Sequence, residues 1–168
     1  MSERVERVRL RHPERGDMEL LEELAGDEAR GPWDAFDDPP DQMLTSAQFE
    51  GGMRIVELED GTAVGRVSYI RLPWGPNRLS LAWRIGITVH PAWRRRGIGA
   101  AAQRRLASDL LAASSANRVE ADTDIENIPE QRALERAGFR REGVARGAQY
   151  RLGRWHDRVL YGVVRGDL

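Results

Sequence analysis

A loop that combines arginines with glycines lies near the middle of the sequence, at residues 94–100, where Gly97 and Gly99 stand two positions apart. It follows an apolar run at residues 85–89 and precedes a helix-forming run at residues 100–111. The first turn of a helix leaves backbone N–H groups without an intrahelical acceptor, and the helix dipole makes that end positive. Because glycines let the main chain approach a ligand closely, the pattern predicts an anion site suited to a pyrophosphate.

The spacing within this loop distinguishes it from two common phosphate-binding loops. It is not the Gly-x-Gly-x-x-Gly pattern of dinucleotide-binding folds, and it lacks the Gly-Lys-Ser/Thr of nucleoside-triphosphate loops. The arrangement Arg94-x-x-Gly97-x-Gly99 resembles the Arg/Gln-x-x-Gly-x-Gly/Ala signature of the GNAT superfamily of acetyl-CoA-dependent N-acetyltransferases. The motif taken alone is equally compatible with a solvated arginine run before a flexible turn.

Two further segments resemble the same superfamily. Residues 127–139, which read NIPEQRALERAGF, are similar to its second sequence block. Residues 154–161 resemble the C-terminal strand pair of the Rim-type subgroup, named for N-terminal acetylation of ribosomal proteins, and residues 10–17 resemble its opening strand and helix. The resemblance covers nearly the whole chain, which it identifies as a single acetyltransferase domain over residues 1–168.

The periodicity of the remaining sequence predicts an α/β chain. Alternating residues at 54–58 and 63–71 predict a hairpin, and Asp17 is placed to cap a helix. Asn127 begins a later helix that Gly138 closes. Hairpins combined with a strand–helix–strand crossover predict a mixed sheet. The resemblance implies a mixed, mostly antiparallel, twisted sheet of about six to seven strands flanked by helices, whose splayed central strand pair holds coenzyme A.

The resemblance also implies which residues hold acetyl-CoA, the expected co-substrate. They belong to the end of the strand before the loop, to the loop with the first helical turn, and to the two ends of the later helix. The residues are Ile87, Thr88, Val89, Arg94, Arg95, Arg96, Gly97, Ile98, Gly99, Ala100, Asn127 and Arg136. Backbone N–H groups at residues 87–89 are expected to stabilise the oxyanion that develops on the thioester. No metal site is expected, because the three histidines are scattered along the chain.

The groups that would move protons depart from the superfamily pattern. Leu134 stands where many members carry a tyrosine that acts as general acid, and Arg84 stands at about the place where Rim-type members often carry a glutamate. Glu130 and Asp122 are the candidate catalytic carboxylates. For Glu130 we favour the alternative of a capping box with Asn127, because that arrangement alone explains the residue. Transfer of the amine proton to water is a third alternative, with positioning supplying most of the rate.

The acceptor is expected to be a primary amine, and one segment suggests that it is cationic. Residues 27–41 hold six acidic side chains against a single arginine, and the resemblance places this segment over the acceptor groove. An acidic rim would attract a basic peptide N-terminus, a polyamine or an amino-bearing small molecule such as an antibiotic. The alternative is a solvated acidic loop. Trp33, Trp74, Tyr150 and His156 are the candidate acceptor-binding residues, and packing would explain the aromatic ones equally well.

Composition limits the remaining possibilities. The chain has 168 residues, enough for one domain, and it has no cysteine, which excludes disulfides and a cysteine acyl-enzyme. All 26 basic residues are arginine and the net charge is −1, so a general nucleic-acid binder is not expected. No apolar run reaches membrane-spanning length and the N-terminus is highly charged, so we expect a cytoplasmic protein with no membrane partner. A homodimer stays open.

Three functions remain after this reasoning. The first is an N-acetyltransferase in which the amine attacks acetyl-CoA directly in a ternary complex. The second is a non-catalytic module of the same fold that binds acetyl-CoA as a sensor or a partner subunit. The third, RNA binding through residues 94–96 and 104–105, conflicts with the balanced charge.

Overall fold

One sheet runs through the computed structural model, which describes residues 7–33 and 50–168. Its seven strands are β1 (Val8–Arg11), β2 (Gly51–Leu58), β3 (Ala63–Pro73), β4 (Leu81–Val89), β5 (Arg118–Asp124), β6 (Arg140–Arg151) and β7 (Arg154–Val164). Their order across the sheet is β1-β2-β3-β4-β5-β7-β6. The expected α/β fold with a mixed sheet is confirmed, and the hairpin predicted at residues 54–71 is formed by β2 and β3.

The described part of the chain holds four α-helices and three short 3-10 turns. The helices are α1 (Met18–Ala25), α2 (Asp27–Arg30), α3 (Ile98–Ala113) and α4 (Ile128–Arg136). The 3-10 turns are Arg15–Asp17, Gly31–Trp33 and Pro91–Trp93. Among these described helices, none has the length and apolar character needed to cross a membrane.

The two central strands separate along their length. Neighbouring strands are antiparallel everywhere except at β4 and β5, which run parallel. These two pair only where residues 82–84 of β4 meet residues 118–120 of β5. Beyond Arg84 and Glu120 no further pairing joins them, so a crevice opens between their carboxyl ends. The expected splayed central pair is confirmed.

The helices cover both faces of the sheet. Trp83 and Ile85 of β4 pack in one apolar core with Leu106 of α3 and Leu134 of α4. Because successive strand residues point to opposite faces, Arg84 points to the other face. Leu24 of α1 is also fully buried, and α1 and α2 contact β3 and β4. The face opposite α3 and α4 therefore carries the alternate, largely polar residues of the central strands.

Local sequence signals explain both ends of α4. The Asn127 side chain accepts a hydrogen bond from the Glu130 N–H at 3.3 Å. At the other end Gly138 adopts φ +98, and the N–H of Phe139 donates to the carbonyl of Leu134 at 3.0 Å. This is the Schellman arrangement, which satisfies carbonyls that the helix leaves without partners.

Asp17 lies at the predicted N-cap position of α1, but its side chain makes no capping bond to that helix. Its carboxylate accepts bonds from the Arg11 guanidinium, at 2.7 Å, and from the Glu14 N–H, at 2.6 Å. The buried ion pair with Arg11 engages the carboxylate that was expected to cap the helix.

Candidate functional site

Main-chain groups of β4 line the crevice between the central strands. The N–H of His90 donates to the carbonyl of Val64 at 2.9 Å, and the register pairs Gly65 with Val89. Antiparallel pairs alternate between bonded and non-bonded partners, so the main chain of Thr88 bonds to β3. The N–H groups of Ile87 and Val89 then point away from β3, toward the gap beside β5. Of the three residues expected to face the thioester, Ile87 and Val89 present main-chain groups to the crevice and Thr88 does not.

The loop after β4 leads into α3 through a left-handed turn. Gly97 precedes the helix with φ 76, and Arg95 has φ 64, which is unusual for a residue with a side chain. The N–H of Ala101 donates to the carbonyl of Gly97 at 3.1 Å. The N–H groups of residues 98–100 lie before that first intrahelical bond and have no acceptor one turn back. They form a cluster of donors at the positive end of a sixteen-residue helix.

Gly99 lies next to side chains of α4 and β4. A Cβ atom built there would lie 3.9 Å from the Cβ of Ala133 in α4 and 4.0 Å from the Cδ1 of Ile87 in β4. These are ordinary contact distances, so packing of the protein does not require glycine at this position. The first turn of α3, the end of β4 and the middle of α4 thus meet at Gly99. Donors at one side and an open crevice at the other fit a pyrophosphate joined to a narrow thioester arm.

The three loop arginines have different surroundings. Arg94 donates to the carbonyl of Val89 at 3.1 Å and to that of Ala29 in α2 at 2.5 Å, so it ties the loop to β4 and α2. The Arg96 guanidinium stacks on the ring of Trp93 at 4.6 Å. Arg95 is exposed at the turn. The expected positive rim is therefore carried by Arg95 and Arg96, while the Arg94 guanidinium binds main-chain carbonyls of its own chain.

The residues carried over from the second sequence block lie on α4. Asn127 caps the helix through its side chain, and its own N–H donates to the carbonyl of Asp124 at 3.0 Å. The Asn127 side chain accepts from the main-chain N–H of Glu130, whose side chain is half-buried. Arg136 is exposed in the last turn, where a cation is favourable. Leu134 is fully buried in the core, so the position of the family tyrosine does not face the crevice in this chain.

The second candidate carboxylate lies on the other face of the sheet from α4. The Asp122 Oδ2 accepts a hydrogen bond from the Nε of Arg158 at 2.7 Å, and its Oδ1 lies 3.6 Å from the Nε of Arg84. Two guanidinium groups thus already contact the Asp122 carboxylate. The structure does not bring Glu130 and Asp122 together as a pair.

Three of the four acceptor candidates lie near the turn between β6 and β7. His156 is buried beside Asp124, with its Nδ1 2.9 Å from the Nη2 of Arg151 and its Nε2 3.1 Å from the Arg151 carbonyl. The His156 Nδ1 also lies 3.2 Å from Asp124 Oδ2, so both ring nitrogens are within hydrogen-bond distance of polar atoms. Arg151 also donates to the carbonyl of Pro32, which precedes Trp33. Tyr150 is half-exposed and makes an edge-to-face contact with the neighbouring Trp155 ring.

Trp74 lies apart from these residues. It follows β3 and precedes β4, at the opposite end of the strand from the glycine loop. The strand between them spans about 26 Å at the usual rise per residue. Its exposed ring contacts the Arg118 guanidinium at 5.8 Å. Of the acidic residues expected over the acceptor groove, those at Asp34, Asp37, Asp38 and Asp41 lie outside the described residues.

Sequence reasoning missed the arginines that hold this region together. Arg151 connects β6 to Asp124 and to Pro32, and Arg158 connects β7 to Asp122 and to Gln149. The position of Arg158 could have been predicted from the sequence. Val159 and Tyr161 are buried on one face of β7, so Arg158 must point to the opposite face of the sheet. No local pattern indicates the contact between Arg151 and Pro32, which are 119 positions apart.

Comparison with known proteins places this arrangement in a family. A model of the acetyltransferase (GNAT) domain matches residues 7–140. The chain is similar to the acetyltransferase (GNAT family) from Bacillus anthracis, with a TM-score of 0.73 and 20% identity over 98% of each chain. It is similar to Mycobacterium smegmatis RimJ in complex with CoA-disulfide, with a TM-score of 0.74 and 25% identity over 96% of this chain and 83% of that chain.

A third solved structure has the same fold. The ribosomal-protein-S5-alanine acetyltransferase from Vibrio fischeri gives a TM-score of 0.73 and 19% identity over 95% of this chain and 93% of that chain. No curated protein matches the sequence. The family match spans far more than half of the sequence and includes the strand, loop and helix of the crevice. The chain therefore belongs to the acetyltransferase (GNAT) domain family, whose fold supports acetyl transfer from acetyl-CoA.

Proposed function

We propose that this protein is an acetyl-CoA-dependent N-acetyltransferase that acts on a primary amine by direct attack in a ternary complex. The observation that carries the proposal is the crevice at the carboxyl ends of β4 and β5. Inward main-chain donors of β4 and the N-terminus of α3 open onto the same end of that crevice. The absence of cysteine from the sequence supports direct attack over a cysteine acyl-enzyme.

Binding of the coenzyme would divide between two groups of donors. The N–H groups of residues 98–100 and the exposed side chains of Arg95 and Arg96 suit the pyrophosphate. The N–H groups of Ile87 and Val89 suit the thioester oxygen, because they lie in the crevice and are fixed by the strand before the reaction begins. Gly97 and Gly99 keep the approach to these donors free of side chains.

Acetyl-CoA supplies the acetyl group as a thioester. The acceptor nitrogen forms a bond to the carbonyl carbon, the carbon–sulfur bond breaks, and coenzyme A leaves as its thiol. The proton lost by the amine needs an acceptor, and Glu130 is the better of the two candidate carboxylates, because Asp122 already pairs with Arg158 and Arg84. Either Glu130 acts through water, or water takes the proton alone with positioning supplying the rate.

Similarity to RimJ supports a Rim-type enzyme as one form of this proposal. The match to RimJ, solved with a disulfide of coenzyme A, supports coenzyme A binding here, and the ribosomal-protein-S5-alanine acetyltransferase has the same fold. We extend the proposal to residues 1–168 as one acetyltransferase domain. The acceptor classes that remain are a peptide N-terminus, a polyamine and an amino-bearing small molecule.

Release of free thiol from acetyl-CoA in the presence of an amine panel tests the proposal. We expect amine-dependent thiol release, with a product that mass spectrometry shows to be heavier by one acetyl group. Thermal unfolding with and without coenzyme A runs in parallel as a test of binding. Stabilisation by the coenzyme with no turnover for any amine would instead favour the non-catalytic acetyl-CoA-binding module.

A further inference from the structure

A polar pocket lies on the sheet face opposite α3 and α4. It has a volume of about 330 Å³ and is lined by Arg84 of β4, Asp122 of β5, Arg158 and Leu160 of β7, and Gln149 with neighbouring alanines of β6. Two guanidinium groups and one carboxylate line it, so its wall carries one excess positive charge. Neither the coenzyme loop nor α4 contributes to it.

The pocket begins where the crevice begins. Pairing between β4 and β5 ends at Arg84 and Glu120, and Asp122 is the next β5 residue on the same face. The Arg84 side chain reaches toward Asp122 across the opening, with 3.6 Å between Nε and Oδ1. Ile87, whose N–H faces the crevice, is three residues further along β4, or about 10 Å away. An acceptor in this pocket can therefore place its amine close to the proposed thioester position.

The two pocket arginines differ in how their donors are used. All three nitrogens of Arg158 make hydrogen bonds, to Asp122 Oδ2 at 2.7 Å, to Gln149 Oε1 at 3.0 Å and to the Asp122 carbonyl at 3.1 Å. Arg158 is thus engaged in holding β5, β6 and β7 together. A ligand in the pocket would therefore bind the guanidinium of Arg84 in preference to that of Arg158.

Few of the N–H donors of Arg84 are used in hydrogen bonds to the described residues. Within residues 7–33 and 50–168 its one hydrogen bond is from Nη2 to Glu120 Oε1, at a long 3.3 Å, and its Nε has no hydrogen-bond partner. The distance of 3.6 Å to Asp122 is an ion pair and too long for a hydrogen bond. A guanidinium carries five N–H donors. The Nε–H is buried and one Nη2 donor is used, so three donors on Nη1 and Nη2 are available on a side chain that is 41% exposed.

The carboxylates near Arg84 are shared with other arginines. Glu120 also pairs with Arg118 at 3.4 Å, and Asp122 pairs more closely with Arg158 than with Arg84. Glu120 and Asp122 therefore neutralise the positive charge of Arg84 only in part, and the remaining charge can attract a ligand. A planar guanidinium with adjacent free donors matches a carboxylate better than any neutral group, because it can form two parallel charge-assisted bonds.

We infer that Arg84 binds a carboxylate of the acceptor, so the substrate carries an anionic carboxylate as well as the primary amine. This inference rests on the proposed function and narrows it to amino acids or to peptides with a carboxylate near the N-terminus. It disfavours a polyamine, the cationic class that the acidic segment at residues 27–41 had suggested.

Matched ligands test this inference by equilibrium binding. Calorimetry on the coenzyme A complex would compare a panel of L-amino acids and dipeptides with the carboxamide of each, and with spermidine. We expect each acid that binds to do so at least about tenfold more tightly than its amide, since a charge-assisted pair is lost. In turnover assays the amide should raise KM more than it lowers kcat.

Two substitutions locate the effect. Arg84→Gln should remove the preference for acid over amide, and Arg84→Lys should keep part of it because the charge remains. Arg140→Gln removes the same charge from an exposed position on β6 and should leave the preference unchanged. If Arg84→Gln fails to fold, Arg84→Lys and the preference of the parent protein still decide the matter.

The outcomes separate this inference from the proposed function. Equal affinity for acid and amide, tighter binding of spermidine, or no binding of any acid would each overturn the carboxylate inference. Amine-dependent thiol release would still support the N-acetyltransferase in those cases. Conversely, an acid preference that Arg84→Gln abolishes, with no thiol release from any amine, would support the carboxylate site while the proposed activity fails.

Discussion

At Gly99 a hydrogen atom stands where any other residue would place a carbon beside Ile87 and Ala133. We expect Gly99→Ala to leave the thermal unfolding temperature unchanged, because the added methyl group meets its neighbours at ordinary contact distances. The Arg/Gln-x-x-Gly-x-Gly/Ala signature accepts alanine at this position, so the Kd for coenzyme A should also stay unchanged, and Gly99→Ala serves as a control for changes at Gly97. Calorimetry measures the affinity.

Gly97→Val provides the contrasting variant at the same loop. Gly97 has φ 76, which a β-branched residue adopts only with strain. It should therefore lower both the stability and the coenzyme affinity. Unchanged coenzyme affinity in Gly97→Val would contradict the assignment of the pyrophosphate to this loop.

At Glu130 the structure separates two roles that the sequence could not. The N–H of Asn127 is already bonded to the Asp124 carbonyl, and the cap uses the main chain of Glu130. We predict that Glu130→Gln leaves stability unchanged, because glutamine also suits a capping position, but lowers kcat by about a hundredfold and removes the acidic limb of the pH–rate profile. A pH–rate profile identical to that of the parent would mean that water, and not Glu130, accepts the proton of the amine.

At the scale of elements, the ends of α4 show what a local pattern can predict. Asn127 and Gly138 lie within or next to the helix that they delimit, so their roles could be predicted from sequence spacing alone. Asp17 has the same type of local signal, yet it pairs with Arg11. The difference arises because Arg11 lies on β1, which pairs with β2 and brings Glu57 to the same guanidinium.

The turn that ends α4 offers a test at the scale of elements. A Cβ at Gly138 would lie 2.9 Å from the Leu168 side chain, and its φ of +98 disfavours any side chain. We expect Gly138→Ala to lower the free energy of unfolding by about 1–2 kcal/mol, measured by urea denaturation. Gly143→Ala on β6, where a Cβ meets nothing within 4 Å, should change it by less than about 0.5 kcal/mol. Equal effects of the two substitutions would mean that the left-handed turn is not required.

At the scale of the whole molecule, the resemblance predicted the sheet and its splayed central strands. It did not predict the side-chain contacts between segments that are distant in the sequence. Arg94 was expected at the rim of the anion site, and it instead donates to Ala29, 65 positions away. The pocket beside Arg84 joins four strands that the sequence presents separately. Hydrophobic periodicity specifies which face of an element is buried, and it carries no information about which polar residues meet on the opposite face.

The ion pairs of Arg11 with Asp17 and with Glu57, which is distant from Arg11 in the sequence, should control the stability of the fold at acid pH. The side chains of Asp17 and Glu57, both nearly buried, share the Arg11 guanidinium. The hydrogen bond from Arg11 lowers the pKa of Asp17, and those from Arg9 and then Arg11 lower the pKa of Glu57. Because both pKa values are depressed in the folded state, their contribution to stability is present above the unfolded values of about 4. It is lost as the pH falls through the folded values.

Arg11→Gln isolates this contribution. The variant should be less stable than the parent near neutral pH, and the difference should shrink as the pH falls below about 4, because the parent then protonates the same two carboxylates. Urea denaturation across this pH range gives both curves. Arg7→Gln removes an arginine whose pair with Glu59 is exposed and 3.8 Å long, so its curve should follow that of the parent. A constant difference between Arg11→Gln and the parent at every pH would mean that Arg11 stabilises the fold by packing, with no linkage to the two carboxylates.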